Sequence, residues 1–343
     1  VISGYLITSI ILIELDNDAF SFISFYERRI RRLFPALTLV IAITMSVSFI
    51  FFYPREFENL SRSIIYVLTF SANFYFWQTS DYFALSAELA PFIHLWSLSL
   101  EEQFYVCLPI LILGISRLNK DYIFFTLILF GLISFGLSEW GWRNKATANF
   151  YLAPTRAWEL FAGSIAAFIV QEQGVQKNNS LAFLGLAAII TSIIFYDEKT
   201  PFPSVYALVP VLGVALLVLY ADRETLVARL LSTRVFVGIG LISYSAYLWH
   251  QPLLAFARIK SQGEPLALIR GCLAASSLLL AYFSWRYVEI PFRNRAQLSR
   301  NLIFIFAFVS LSFFTIFGFI GHKYEGFKNR FETIRRNAYY TQR

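Results

Sequence analysis

The sequence predicts an all-α, polytopic transmembrane helix bundle, and three observations carry that expectation. Of its 343 residues, 57% are hydrophobic and only 15% are charged. Apolar runs recur along most of the chain, several approaching the roughly 20 helical residues that cross a ~30 Å hydrocarbon layer. Lys and Arg sit in the short connections between these runs, where they orient a polytopic chain. The net charge of +7 therefore does not indicate a nucleic-acid partner, because the basic residues form no separate domain. About nine spanning segments are expected, with a re-entrant outer segment and a C-terminal tethering helix.

Taken in order, Val1 to Ile13 is an apolar half-helix, covering about 20 Å at 1.5 Å per residue. The chain thus reads as beginning inside a helix, and no signal peptide is recognisable. Phe25-Tyr26-Glu27-Arg28-Arg29-Ile30-Arg31-Arg32 then precedes a span opened by Leu33-Phe34-Pro35 and ending near Tyr53. Arginines at a span entry assign that connection to the cytoplasm. Residues 63–77 form a shorter apolar run broken by Ser71 and Asn73. If that run does not cross, most loop Lys and Arg fall on the cytoplasmic side, so residues 54–93 are read as an outer loop with a re-entrant portion.

The spans expected beyond it are 95–115, 122–138, 154–170, 181–196, 205–220, 236–257, 266–287 and 302–321. Three regions follow: a membrane domain over 1–293, a basic linker and tethering helix over 294–321, and an outward tail over 322–343. Cys107 and Cys272 lie in apolar runs without metal-ligand spacing, so they are expected to be packing residues, with no metal site.

Polar groups inside such spans are costly, about 2.5 kcal/mol or more for an ionised side chain, and default to a functional reading. His94-Leu-Trp96-Ser97-Leu-Ser99-Leu-Glu101-Glu102-Gln103-Phe104-Tyr105 is the densest case. Helical periodicity puts His94, Ser97, Glu101 and Tyr105 on one face and turns Glu102 about 100° away. Arg156 and Glu159, at i, i+3 just after Pro154, either satisfy each other or join a site. Ser243, Tyr247 and His250 share a face, and Pro252 can free a backbone carbonyl beside them. Trp96, Tyr105, Tyr247 and Trp249 offer flat faces to a saccharide or form an interfacial belt. Arg29 and Arg32, one turn apart, and Arg286 can clamp phosphate or anchor the cytoplasmic face.

The series Ile2-Ser3-Gly4-Tyr5-Leu6-Ile7-Thr8, Phe25-Tyr26-x-Arg28-Arg29-x-x-Arg32-x-x-Pro35, His94-x-Trp96-Ser97-Leu98-x-x-Glu101-Glu102-Gln103-Phe104-Tyr105, Arg156-x-Trp158-Glu159-Leu160 and Ser243-Tyr244-x-x-Tyr247-Leu248-Trp249-His250 resembles the acyltransferase-3 family over nearly all of residues 1–293. The resemblance implies a multi-pass protein of the bacterial inner (cytoplasmic) membrane that moves an acyl group, usually acetyl, from cytoplasmic acyl-CoA to a hydroxyl of an envelope polysaccharide such as O-antigen, peptidoglycan or exopolysaccharide. It implies acetyl-CoA as donor substrate, with Arg29, Arg32 and Arg286 holding it, and Arg156, Glu159, Trp96, Tyr105 and Tyr247 around the saccharide acceptor. The family's catalytic histidine lies on a helix preceding Val1, so this chain alone is expected to be inactive. Glu101 would orient that histidine, with His94 and His250 assisting or binding the sugar. The closing helix and tail resemble members carrying a C-terminal SGNH-type domain. Membrane lipid, acyl-CoA, the saccharide and that domain are the expected partners. A transporter or flippase of lipid-linked saccharide is the competing reading, since it too needs polar groups in its spans.

Overall fold

The computed structural model describes residues 1–79, 88–116, 120–197, 199–261 and 263–330. Among these the regular elements are helical, apart from an isolated bridge between Lys177 and Ala221. Five helical stretches are long and apolar enough to cross a membrane: Phe22–Phe51, Leu95–Ser116, Tyr122–Asn144, Ala267–Arg293 and Arg300–Lys323. Other expected spans divide into two kinds. The helices Ala153–Gln173 and Arg234–Ser261 have 21 and 28 residues but carry charged or polar side chains, including Arg156, Glu159 and His250. Asn179–Phe195 and Leu208–Tyr220 are apolar but have 17 and 13 residues, about 26 and 20 Å of helix.

The chain divides into two compact units, residues 1–20 with 100–239 and residues 21–99 with 240–343. In the first, α1 (Ile2–Asp16) crosses α8 (Ala153–Gln173) where two glycines meet backbone. A Cβ on Gly4 would overlap the Leu160 carbonyl oxygen, and one on Gly163 would overlap that of Val1. Just beyond, Thr8 Oγ1 donates to Ser164 Oγ at 2.8 Å. Small side chains allow this approach, as in membrane helix pairs generally. The same device joins α9 (Asn179–Phe195) to α10 (Leu208–Tyr220): a Cβ on Gly185 would stand 2.7 Å from the Gly213 carbonyl oxygen. Ser134, on α6 (Lys120–Asn144), enters the first turn of α8, donating to the Pro154 carbonyl at 2.6 Å and accepting from Trp158 N–H at 3.0 Å. Trp158 then packs on Ala207 and Val211.

In the second unit α2 runs from Phe22 to Phe51, its N-terminus capped by Ser21, with Pro35 inside it rather than opening it. The 63–77 run is not one segment. Helix α3 begins at Pro54, where proline suits the first turn, and stops at Leu68. Phe70 then takes a left-handed conformation, φ 50°, and α4 covers Ala72–Thr79. At 15 and 8 residues both helices are too short to cross.

Helix α15 (Arg300–Lys323) packs along α3 and α2. Gly318 brings its backbone against α3, since a Cβ there would be 2.7 Å from the Ser61 carbonyl oxygen. His322 Nδ1 lies 2.9 Å from Glu58, and Arg330 donates to the carbonyls of Phe49 and Phe52 while covering the Phe49 and Phe57 rings. At the other end of α15, buried Glu27 receives Arg31 at 2.9 Å and Arg300 at 2.7 Å. Arg31 also donates to the Phe292 and Leu298 carbonyls, so the linker is fastened to α2.

Cys107 and Cys272 correct the packing expectation: both are exposed on the outside of their helices. An apolar position on a spanning helix can face lipid as readily as the core.

Candidate functional site

The candidate residues fall into three clusters, each within one unit. The first is built on the turn Pro91–His94, which leads into α5 (Leu95–Ser116), and on α12 (Arg234–Ser261). The rings of His94 and His250 lie 5.0 Å apart, edge to face, and the Tyr247 ring is 4.9 Å from His94. Tyr247 donates its hydroxyl to the His94 carbonyl oxygen and meets Ser97 Oγ at 2.9 Å. His250 Nδ1 is 2.6 Å from the Tyr247 carbonyl oxygen, which leaves Nε2 for chemistry. The neighbouring Gln251 amide reaches the Glu88 and Ala90 carbonyls at 3.1 and 3.3 Å, fixing the turn. Trp96 is buried here, and Trp249 donates its indole N–H to Ser284 Oγ at 2.8 Å.

Pro252 explains the polarity of this cluster. It lacks the N–H that would satisfy the carbonyl of Leu248 four residues earlier, and that carbonyl is the backbone group acting on the His94 ring. His94 is 9% exposed, and neither ring nitrogen has a hydrogen bond of normal geometry among the described residues. Burial, reinforced by the nearby His250, holds the His94 imidazole well below its ordinary pKa, with the Leu248 carbonyl opposing weakly. The ring is therefore neutral at pH 7.

The sign of the pH effect follows. The unfolded chain takes up this proton first, near pH 6.5. His94 thus contributes its full stability above about pH 6.5 and loses it as pH falls toward the depressed folded value. The difference in thermal midpoint between wild type and His94→Leu should shift steadily in favour of the variant as pH is lowered from 7.5 to 5. A difference independent of pH would contradict a buried, neutral imidazole.

The second cluster lies in the first unit. Arg156 Nε stands 2.7 Å from Glu159 Oε1, and Nη2 donates to Oε2 at 3.2 Å, so the two side chains form a forked pair. The guanidinium also covers the Phe202 and Phe150 rings at 5.0 and 5.5 Å. Tyr105 donates its hydroxyl to Glu101 at 3.1 Å, one turn away on the same face of α5. Glu101, Arg156 and Glu159 all act electrostatically on the backbone nitrogen of Val1, which places them around the start of α1. Glu102, on the other face, is more deeply buried than Glu101.

The third cluster is basic. Arg29 is half-buried, whereas Arg32 and Arg286 are exposed and make no ion pair among the described residues. Arg32 lies within electrostatic range of Arg293. Arg293 Nη2 is 2.6 Å from Glu289, a fully buried acid that accepts from Ser245 Oγ at 2.5 Å. Glu289 is aimed by a π-helical turn, Trp285–Glu289, which inserts one extra residue before α14 (Ile290–Arg293). Such turns are frequent at functional sites. Neither Glu289 nor Arg31 is among the residues singled out from the sequence. The i, i+4 spacing from Glu27 was the available signal for Arg31; the Ser245–Glu289 contact leaves none. Among the described residues no group of three His, Cys, Asp or Glu could hold a metal ion.

Comparison with known proteins adds the family. The model of the acyltransferase domain, type 3, matches residues 1–286. The chain belongs to the acyltransferase-3 family. An acyltransferase-3 chain of this kind has relatives in several bacteria. One is an uncharacterized protein of Haemophilus influenzae, 33% identical over 238 residues, covering 64% of this chain and 94% of that protein. The peptidoglycan O-acetyltransferase OatA of Listeria monocytogenes is 29% identical over 316 residues, 86% of this chain and 50% of OatA. The O-acetyltransferase OatA of Staphylococcus aureus is 29% identical over 315 residues, 86% of this chain and 51% of its own length. This chain therefore spans about half the length of the OatA relatives it matches. No solved structure matches it. The acyltransferase-3 match covers the first two clusters entirely, and only Glu289 and Arg293 of the third lie just beyond it.

Proposed function

We propose that this acyltransferase-3 chain is the membrane part of an O-acyltransferase that moves an acetyl group from acetyl-CoA to a hydroxyl of an envelope polysaccharide in the bacterial cytoplasmic membrane. Peptidoglycan is the first acceptor to test, because it is the one named for the Listeria relative. The observation that carries the reading is the family match over residues 1–286, the stretch that holds the two histidines and the Arg156–Glu159 pair.

The chemistry needs a base for the attacking hydroxyl, donors for the tetrahedral oxyanion and a hold on each substrate. A neutral imidazole can accept the hydroxyl proton, and His94 and His250 supply two rings in contact, with Tyr247 and Ser97 adding hydroxyl donors. Glu101, with Tyr105 on its carboxylate, is suited to orient or tune a histidine. Arg32 and Arg286, free of ion pairs among the described residues, suit the CoA phosphates, with Arg29 beside them and Arg293 held by Glu289. Arg156, Glu159 and Trp96 are assigned to the acceptor.

The test is transfer of labelled acetyl from acetyl-CoA into polysaccharide, using membranes of cells expressing the full-length protein. Arg32→Ala should raise the KM for acetyl-CoA about tenfold or more, the loss of one charge-assisted contact. Saccharide movement across vesicles without consumption of acetyl-CoA would replace this reading with the transporter.

A further inference from the structure

A pocket stands beside the histidine cluster, wholly within the same unit. Its volume is about 330 Å³, near the lower end of the ~300–1,000 Å³ typical of ligand sites and suited to a single sugar ring. One wall is a face of α3 bearing Glu56, Asn59, Arg62 and Ser63; the facing wall includes Tyr75 and Thr79 of α4 and the stretch Leu89–Pro91. That stretch runs directly into His94, and its carbonyl at Ala90 is held by Gln251, the neighbour of His250. The wall of the pocket and the first histidine are thus parts of one fixed turn.

Arg62 is the one basic side chain of the described lining, and Glu56 is its one acid. Glu56 accepts from the Tyr53 N–H at 3.0 Å, closing the start of α3. Glu58 Oε1 lies 2.9 Å from His322 Nδ1, and Glu88 is paired with Arg258 at 3.3 Å. Arg62 has neither ion pair nor hydrogen bond among the described residues; its guanidinium carbon lies 6.0 Å from the centre of the Tyr75 ring. An aromatic face steadies a cation without neutralising it. Tyr75 brings no negative charge, because burial pushes its phenol above the ordinary value.

The remaining polar groups favour hydroxyls. Ser63 Oγ donates to the Leu60 carbonyl at 2.7 Å and Thr79 Oγ1 to the Tyr75 carbonyl at 2.7 Å, so both keep lone pairs for an incoming O–H. The Asn59 side chain is exposed and can donate and accept. A guanidinium without an ion pair among the described residues, beside three hydroxyl-binding groups and with Glu56 turned to the Tyr53 N–H, matches a polyol that carries an acid.

We propose that this pocket is an acceptor subsite for an anionic sugar residue, with Arg62 taking its carboxylate or phosphate and Asn59, Ser63 and Thr79 taking its hydroxyls. The inference rests on the polysaccharide reading above and names the charge class of the acceptor. A glycan seated here would continue past Pro91 to the hydroxyl presented at His94 and His250.

The test uses the protein in nanodiscs of zwitterionic lipid, titrated with a uronate-containing oligosaccharide and its carboxyl-reduced counterpart of equal length. The acidic form should bind about tenfold or more tightly in the wild type, the worth of a charge-assisted contact. Arg62→Ala should bring the two affinities together and Arg62→Lys should keep part of the preference, with unchanged thermal midpoints. Equal binding by the wild type, or a preference that survives Arg62→Ala, would overturn the subsite. So would loss of the preference when anionic lipid replaces zwitterionic lipid, since Arg62 would then serve a lipid headgroup. Acetyl transfer is measured on the full-length protein in the same nanodiscs: transfer without a charge preference sinks the subsite alone, and a charge preference without transfer sinks the acylation reading alone.

Discussion

Replacing Gly163 by alanine should sharply lower the yield and the melting midpoint of the folded protein. The new methyl group would overlap the carbonyl oxygen of Val1 and crowd the Tyr5 nitrogen at 2.7 Å, and both are backbone atoms that cannot rotate away. Relief requires α1 and α8 to separate along their whole crossing, which also breaks the Thr8–Ser164 hydrogen bond. Overpacking against side chains costs about 1–3 kcal/mol, and against backbone the upper end or more is expected. Gly4→Ala meets the Leu160 carbonyl in the same way and should match it. Gly136 and Gly238, with no atom near a built Cβ, are the controls: their alanine variants should accumulate and melt as the wild type does in detergent. Normal yield and midpoint for Gly163→Ala would show that the crossing is looser than described.

The second large effect is expected at Glu289. Its carboxylate is fully buried between Ser245 and Arg293. Glu289→Ala leaves a buried hydroxyl without its acceptor and a partly exposed guanidinium without its anion, so a loss of about 3 kcal/mol follows, discounted because Arg293 can turn to water. Glu289→Gln keeps the shape and the Ser245 hydrogen bond while removing the charge. Its melting midpoint should stay near that of the wild type, while the KM for the acyl donor rises, because Arg293 is no longer held beside Arg32. If both variants change stability alone and leave that KM untouched, Glu289 is a packing group and Arg293 has no part in donor binding.

How far the sequence discloses this arrangement depends on the length scale of each feature. Long apolar helices are legible one by one, because hydropathy is a local sum, and the expected limits at 95–115 and 302–321 fall within two residues of Leu95–Ser116 and Arg300–Lys323. Helix α3 is not legible in that way. Arg55, Glu56, Glu58 and Arg62 interrupt its apolar residues, so its hydropathy is low and its buried face emerges only at helical spacing. The break after Leu68 depends on a left-handed phenylalanine that no residue preference signals.

The site divides similarly. Periodicity is sufficient for Glu101 with Tyr105 and for Arg156 with Glu159, since each pair lies on one helix. The meeting of His94 with His250 needs a turn and a helix to find each other across 156 positions, and only their like placement in the outward half of the bilayer and the family resemblance hinted that both belong to one machinery. Pro252 is the exception, a local signal with a distant effect: its missing N–H foretold a free carbonyl, and that carbonyl acts on His94.

The fastening of α15 to α3 has a consequence for biogenesis. Glu58 and His322 are separated by 264 residues. At ~5–20 residues per second of translation, α3 is made roughly 13–50 s before the helix that covers it. During that interval the face later closed by Gly318 and Gly321 has only lipid, the insertion machinery or the growing α2 neighbourhood to shield it. The second unit is therefore completed only once α15 has been made, and slowing the emergence of α15 should expose α3 to membrane proteases in proportion to the delay.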